Sequence, residues 1–505
     1  MNSPVLHPGP RLFDFDNSYS RDLEGFYVGW NPTPVPAPRL VILNRALAEE
    51  LRVDPHILEQ PAGVDALAGN LVPAGASPLA QAYAGHQFGQ FSPQLGDGRA
   101  LLLGEVIDRN GERRDIAFKG SGRTPFSRRG DGKCALGPAL REYLVGEAMA
   151  ALGVPTTRTL AVVATGETVR RDRPLPGAVL TRVAASHLRI GTFEFFAAHR
   201  GPEAVKQLAD YAIARHYPDL AGGERPYVAF LDAVARRQAA LVARWLGIGF
   251  IHGVMNTDNM SISGETIDYG PCAFMETYHP LTVFSSIDTG GRYAYGQQGK
   301  IAQWNLARLA EALLPLLDPD EERAVTLATE ILEAFPAWLD AQWLKVFGDK
   351  LGLPPTALTD ADHGLVADFL ALLAAGRVDF TLAFRALHDE AAGTVGALAN
   401  LLGDAQKAAV WLKRWRERVG DPGPQTLATM KRANPAYIPR NHRVEEALDA
   451  AVDREDMAPF ERLLTVLLEP FDARPEDEAY SRPAAPEVEP PGAAASSALH
   501  LLHLT

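Results

Sequence analysis

The chain is short of cysteine, short of positive charge and without a long uncharged apolar run. Two cysteines, Cys134 and Cys272, in 505 residues leave no basis for a disulfide framework or a cysteine-rich zinc site. Lys and Arg total 49 against 62 Asp and Glu, a formal net charge of −13. That balance argues against general nucleic-acid affinity, which needs a basic surface. No stretch has the uncharged apolar length of a membrane helix, and MNSPVLHPGPRLFDFDNSYS lacks the basic-then-apolar order of a signal peptide. The expectation is a soluble, cytoplasmic protein with neither membrane nor nucleic acid as a partner. What is present is apolar bulk: 47% hydrophobic content over this length predicts a large core divided into two or more lobes.

The most informative stretch is GIGFIHGVMNTDNMSISGETIDYG, residues 247–270. A polar loop from His252 to Asn259 is followed by two short runs, Met260-Ser261-Ile262 and Thr266-Ile267, across Ser263-Gly264-Glu265. That spacing predicts a tight β-hairpin, with Asn259 and Asp268 at its two feet, where their oxygens can share one hard cation. Protein-kinase-like enzymes hold nucleotide-bound magnesium with a catalytic-loop Asn and an Asp before glycine. The His-to-Asn spacing of such a loop is kept, yet the usual base position is Val254, which accepts no proton. Asp258 instead supplies a carboxylate beside Asn259. An isolated Asp-Asn pair is more often a plain surface loop; the second acid favours the site reading.

Upstream, residues to about Ala80 read as irregular around Pro32, Pro34, Pro36 and Pro38, with a short helix at 44–51. Residues 100–107 and 113–119 predict strands across Asp108-Arg109-Asn110-Gly111. Gly96-Asp97-Gly98-Arg99 precedes them, a turn whose backbone amides can approach phosphate while Arg99 adds a guanidinium; alone, any hairpin turn produces such a pattern. Lys119 ends the second strand and reads either as a solvated edge or as the strand lysine that reaches nucleotide phosphates. Its partner would come from the helix predicted at 139–152, where Glu142 and Glu147 both qualify. Strands at 159–164 and 177–183 follow. An acidic chain that gathers Arg99, Lys119, Arg128, Arg129, Lys133, Arg182 and Arg189 in one lobe, several beside Gly-rich turns, suits a polyphosphate.

From about Phe193 the pattern is helical, notably over 228–246 and 301–314, with Trp304, Trp411 and Trp415 read as core. The predicted organisation is an extension over 1–80, a β-rich lobe over 81–190, a larger helical lobe over 191–470 and a Pro-, Ala- and Glu-rich tail over 471–505, largely disordered.

The segments AYAGHQFGQFSPQLGDGRA, FKGSGRTPFSRRGDGK, REYLVGEAM, IHGVMNTDNMSISGETIDYGPCAFM, FSSIDTGGRYAYGQQGKIAQWNLARLAE and NPAYIPRNHRVEEAL, in this order, resemble the selenoprotein O family, kinase-like proteins that act as protein adenylyltransferases. The resemblance implies an α+β, protein-kinase-like bilobal fold with ATP bound in a flipped orientation. AMP, rather than the γ-phosphoryl group, then passes to a Ser, Thr or Tyr hydroxyl of a protein, with Mg2+ or Mn2+ as cofactor. It implies Lys119 and Glu142 as the ion pair, and Gly96, Gly98, Arg99, Asp131, Gly132, Arg182 and Arg189 as nucleotide-binding positions. Asn259 and Asp268 match the metal ligands and Asp258 the proton acceptor. A conventional kinase and an inactive nucleotide-binding module are the alternatives. Some members end in a selenocysteine or cysteine redox motif, whereas nothing after Cys272 is cysteine here.

Overall fold

The computed structural model describes residues 9–355 and 357–485. A mixed α/β architecture places a sheet in the N-terminal part and helices in the C-terminal part. The strands, in chain order, are β1 (Tyr27–Gly29), β2 (Arg39–Leu43), β3 (Leu79–Gln81), β4 (Gly85–Gln87), β5 (Gln90–Ser92), β6 (Ala100–Ile107), β7 (Arg113–Lys119), β8 (Cys134–Ala135), β9 (Arg158–Arg170), β10 (Pro174–Ala184), β11 (Phe250–Ile251) and β12 (Ala273–Phe274). The main sheet runs β1-β3-β6-β7-β10-β9-β2, with β8 also on β10. Its central strands read as continuous apolar runs, Leu101-Leu102-Leu103 and Ile116-Ala117-Phe118, because both faces are covered.

The strands expected at 100–107 and 113–119 stand as β6 and β7, joined by a turn in which Asp108 Oδ1 accepts from the backbone of Asn110 and Glu112. The helix expected near residue 140 spans Leu136–Ala151 and packs Leu140, Tyr143, Leu144 and Ala148 against β9, β10 and the helices Asn441–Asp453 and Ala458–Leu467. Residues up to 80 are more regular than their prolines suggested. They supply β1 and β2 and four short helices, and one of these, Arg45–Glu50, is N-capped by Asn44. Strands of three to five residues and helices of five to eight carry too little periodicity to be read from sequence.

The hairpin expected at 260–267 is not formed. The turn is present, with Gly264 N–H donating to Ser261 O at 3.2 Å, but its arms diverge to different partners. Met260 O accepts from Ile190 N and Ile262 N donates to Leu188 O, whereas Thr266 bonds Pro155 O and Thr157 N. Each arm meets a better-placed backbone outside the turn, so the two short runs never pair with each other. Trp411 and Trp415 are core, as expected; Trp304 is only half-buried. Of the tail expected to be disordered, residues 471–485 hold short helical turns at Pro475–Asp477 and Glu478–Ser481, with Ala484 N donating to Glu276. Residues 486–505 lie outside the described residues.

Candidate active site

A cleft of about 550 Å³ opens beside the sheet, within the size range of small-molecule sites. Gly96, Gly98, Arg99, Lys119, Asp131, Gly132, Arg182, Arg189, Asp258, Asn259 and Asp268 all line it. The remaining expected residue, Glu142, lies just behind: Lys119 Nζ donates to its Oε2 at 2.5 Å and to Asp268 Oδ1 at 2.7 Å. Lys119 is therefore no solvated edge; its side chain is 12% exposed. The choice between two glutamates is also resolved. Glu147 faces the other way and binds Arg158 through both oxygens, so Glu142 is the partner of Lys119.

Strand periodicity explains the arrangement. Lys119 on β7 lies opposite Leu180 of β10, and Arg182 sits two residues further along β10, on the same face. Arg182 donates to Glu142 through Nε at 2.8 Å and through Nη2, and approaches Asp268 at 3.4 Å. Two cations and two carboxylates thus form one compact neutral cluster. Burial opposes ionisation, yet Arg182 and Lys119 hold the Glu142 carboxyl below its usual range. Asp268 is likewise held well below the carboxylate range against burial by Lys119, Arg182 and Arg99. Its backbone adopts φ +69°, a left-handed conformation that Asp tolerates better than most residues and that recurs at functional sites.

Asp258 behaves in the opposite way. Burial pushes its carboxyl up to about 6, with Arg189 pulling it down less strongly. Its Oδ1 is buried with no hydrogen-bond partner. Beside it, Asn259 donates from Nδ2 to Val254 O at 3.0 Å, which fixes the amide and leaves its oxygen uncommitted by that bond. Val254 is buried and offers only backbone here. His252 supports the loop from below through Nε2 and Ile267 O at 3.0 Å.

On the opposite wall, Gly96 has φ +75° and lies so close to the Phe126 ring that a Cβ would collide with it, which requires glycine twice over. Asp131 pairs with Arg171 at 2.7 Å and accepts from Lys133 N. Arg189 stacks 4.3 Å over the ring of Tyr83 and is 6% exposed. Tyr83, Gln87, Arg170 and Arg171 also line the cleft. Sequence reasoning passed over them, and only the GHQFG run, which contains Gln87 and begins two residues after Tyr83, offered a signal.

The family model for the protein adenylyltransferase SelO matches residues 12–468. The chain belongs to the SelO family. Among its relatives, a protein nucleotidyltransferase YdiU of Cereibacter sphaeroides is 61% identical over 473 residues, covering 94% of this chain and 97% of the relative. One of Rhodopseudomonas palustris is 59% identical over 479 residues, and one of Methylorubrum extorquens 59% over 483, each with the same coverage. SelO-family membership thus spans both the sheet that carries Lys119 and Arg182 and the loop that carries Asp258, Asn259 and Asp268. No described helix is long and apolar enough to cross a membrane.

Proposed function

We propose that this protein transfers AMP from ATP to Ser, Thr or Tyr hydroxyls of other proteins, within a kinase-like bilobal frame that binds ATP reversed. The observation that carries the reading is Asp258: a buried carboxylate with an unpartnered oxygen, facing the same cleft as Lys119, Arg182, Arg189 and Arg99. The four cations suit a polyphosphate and the departing pyrophosphate. Gly96, Gly98, Asp131 and Gly132 would bound the rest of the nucleotide. In the reaction the acceptor oxygen forms a bond to the α-phosphorus, the bond from that phosphorus to the bridging oxygen breaks, and pyrophosphate leaves with the electron pair. Asp258 takes the hydroxyl proton.

Asn259 and Asp268 would hold Mg2+ or Mn2+. Among the described residues no group of three or more His, Cys, Asp or Glu side chains is arranged to enclose a metal ion. An all-oxygen pair from the chain fits a hard cation that takes its other ligands from phosphate and water. Bound there, the cation would supply charge neutralisation at the phosphate oxygens.

Parallel incubations with ATP labelled at the α or the γ position test the reading. Label retained on protein only from α-labelled ATP is expected. Retention only from γ-labelled ATP would make the protein a kinase, and retention from neither would make it a binding module.

A further inference from the structure

The β4–β5 hairpin lies directly on the loop that carries Asp258. A Cβ at Gly85 would fall 2.5 Å from Asp258 Oδ1, His86 N donates to Thr257 Oγ1 at 2.7 Å, and Phe88 N donates to Asn256 Oδ1 at 3.1 Å. Phe88 and Gly89 both have positive φ, 51° and 85°, the geometry of a type I′ turn. Beyond the hairpin stands an aromatic wall: His86 contacts Phe91 at 4.9 Å and Trp304 at 5.2 Å, and Phe91 is 44% exposed. The Arg292 guanidinium lies 4.7 Å over Trp304 and against Gly89.

Arg292 has no carboxylate within salt-bridge distance among the described residues, and its Nε is buried without a partner. Nearby acids are already engaged. Glu194 binds His86, Glu311 binds Arg308 at 2.7 Å, and Asp288 accepts from the backbone of Arg292 and Tyr293. A guanidinium resting on an indole keeps its planar donor fork for an incoming carboxylate.

We propose that this wall binds the acceptor polypeptide and that Arg292 selects segments with Asp or Glu near the modified hydroxyl. The inference rests on the AMP-transfer reading. Gly85 touches the Asp258 carboxylate and Gly89 touches Arg292, four residues apart, a span of at most about 14 Å at a strand's rise. An extended acceptor places the selected acid within about four residues of the hydroxyl.

The test maps adenylylated sites in a cell lysate treated with the full-length protein and ATP, for the wild type, Arg292→Glu and Arg292→Gln. Wild-type sites are expected to show Asp or Glu enriched about two- to fivefold within that window, the selectivity of a partly exposed ion pair. Arg292→Gln should flatten the bias and Arg292→Glu should reverse it toward Lys and Arg, with ATP affinity retained. Wild-type sites without acidic enrichment would overturn the inference on their own, and so would a bias unchanged in either variant. An absence of any labelled site with the wild type would instead refute AMP transfer itself.

Discussion

Replacing Lys119 with methionine separates a charge that acts on substrate from one that holds the fold. Lys119 is where two carboxylates meet, 2.5 Å from Glu142 and 2.7 Å from Asp268. Methionine keeps the apolar stem and deletes the charge. Glu142 then retains Arg182, which grips it with two nitrogens, and Asp268 keeps Arg182 at 3.4 Å. Stranding a buried charge costs about 3–5 kcal/mol. Neither acid is stranded here, so a smaller loss of about 1–2 kcal/mol is expected. Transfer should fall much further, about a hundredfold or more, because a preorganised cation facing the phosphates is gone. Thermal melting, ATP titration and the initial rate from α-labelled ATP measure the three quantities. A folded Lys119→Met protein with a rate within about twofold of the parent would refute the reasoning.

Other substitutions probe other parts of the account. Asp268→Ala should abolish transfer in α-label assays while the protein still melts cooperatively, and Asn259→Ala should act in the same direction but less severely, since it removes a neutral oxygen. Gly85→Ala places a methyl 2.5 Å from Asp258 Oδ1, so turnover should drop with ATP affinity kept; an unchanged rate would mean that the hairpin does not position the acid. Lys350 is buried against Phe384, with its ammonium 4.2 Å from the ring centre, and burial lowers its pKa to about 7. Below pH 7 the amine is charged in both folded and unfolded chains and its burial penalty is full, roughly 4–5 kcal/mol. From pH 7 to its ordinary value the unfolded chain binds more protons, so the penalty fades as pH rises. Lys350→Met should therefore raise the melting temperature most near pH 6.5 and hardly at all near pH 10, and an equal gain at both values would contradict the assignment.

The sheet's central strands and the site were readable because local rules and tertiary demands agree there. Leu101-Leu102-Leu103 and Ile116-Ala117-Phe118 are apolar runs in two segments joined by an Asn-Gly turn, and residues 100–107 and 113–119 form β6 and β7 at the expected bounds. The choice between Glu142 and Glu147 was not readable from helical spacing. It depends on which way Lys119 and Arg158 approach, a long-range property that only the packed sheet defines. The run 260–267 misled because its turn is real while its arms pair with Leu188, Ile190, Pro155 and Thr157. Periodicity cannot see partners some 70 to 110 residues away. Trp304 read as core by spacing, yet its ring carries the guanidinium groups of Arg292 and Arg308.

Arg182 and Arg189 bear most directly on the orientation of ATP, on which AMP transfer depends. Both are buried at the cleft, Arg182 on the Glu142–Asp268 pair and Arg189 on Tyr83. The decisive measurement is a structure with a non-hydrolysable ATP analogue, accompanied by ATP titration of Arg182→Ala and Arg189→Ala. The account predicts phosphates against these two arginines, the α-phosphate open toward Asp258, and weaker ATP binding in both variants. Adenine deep in the cleft, with phosphates at the Gly96–Arg99 turn and both variants binding ATP normally, would contradict it.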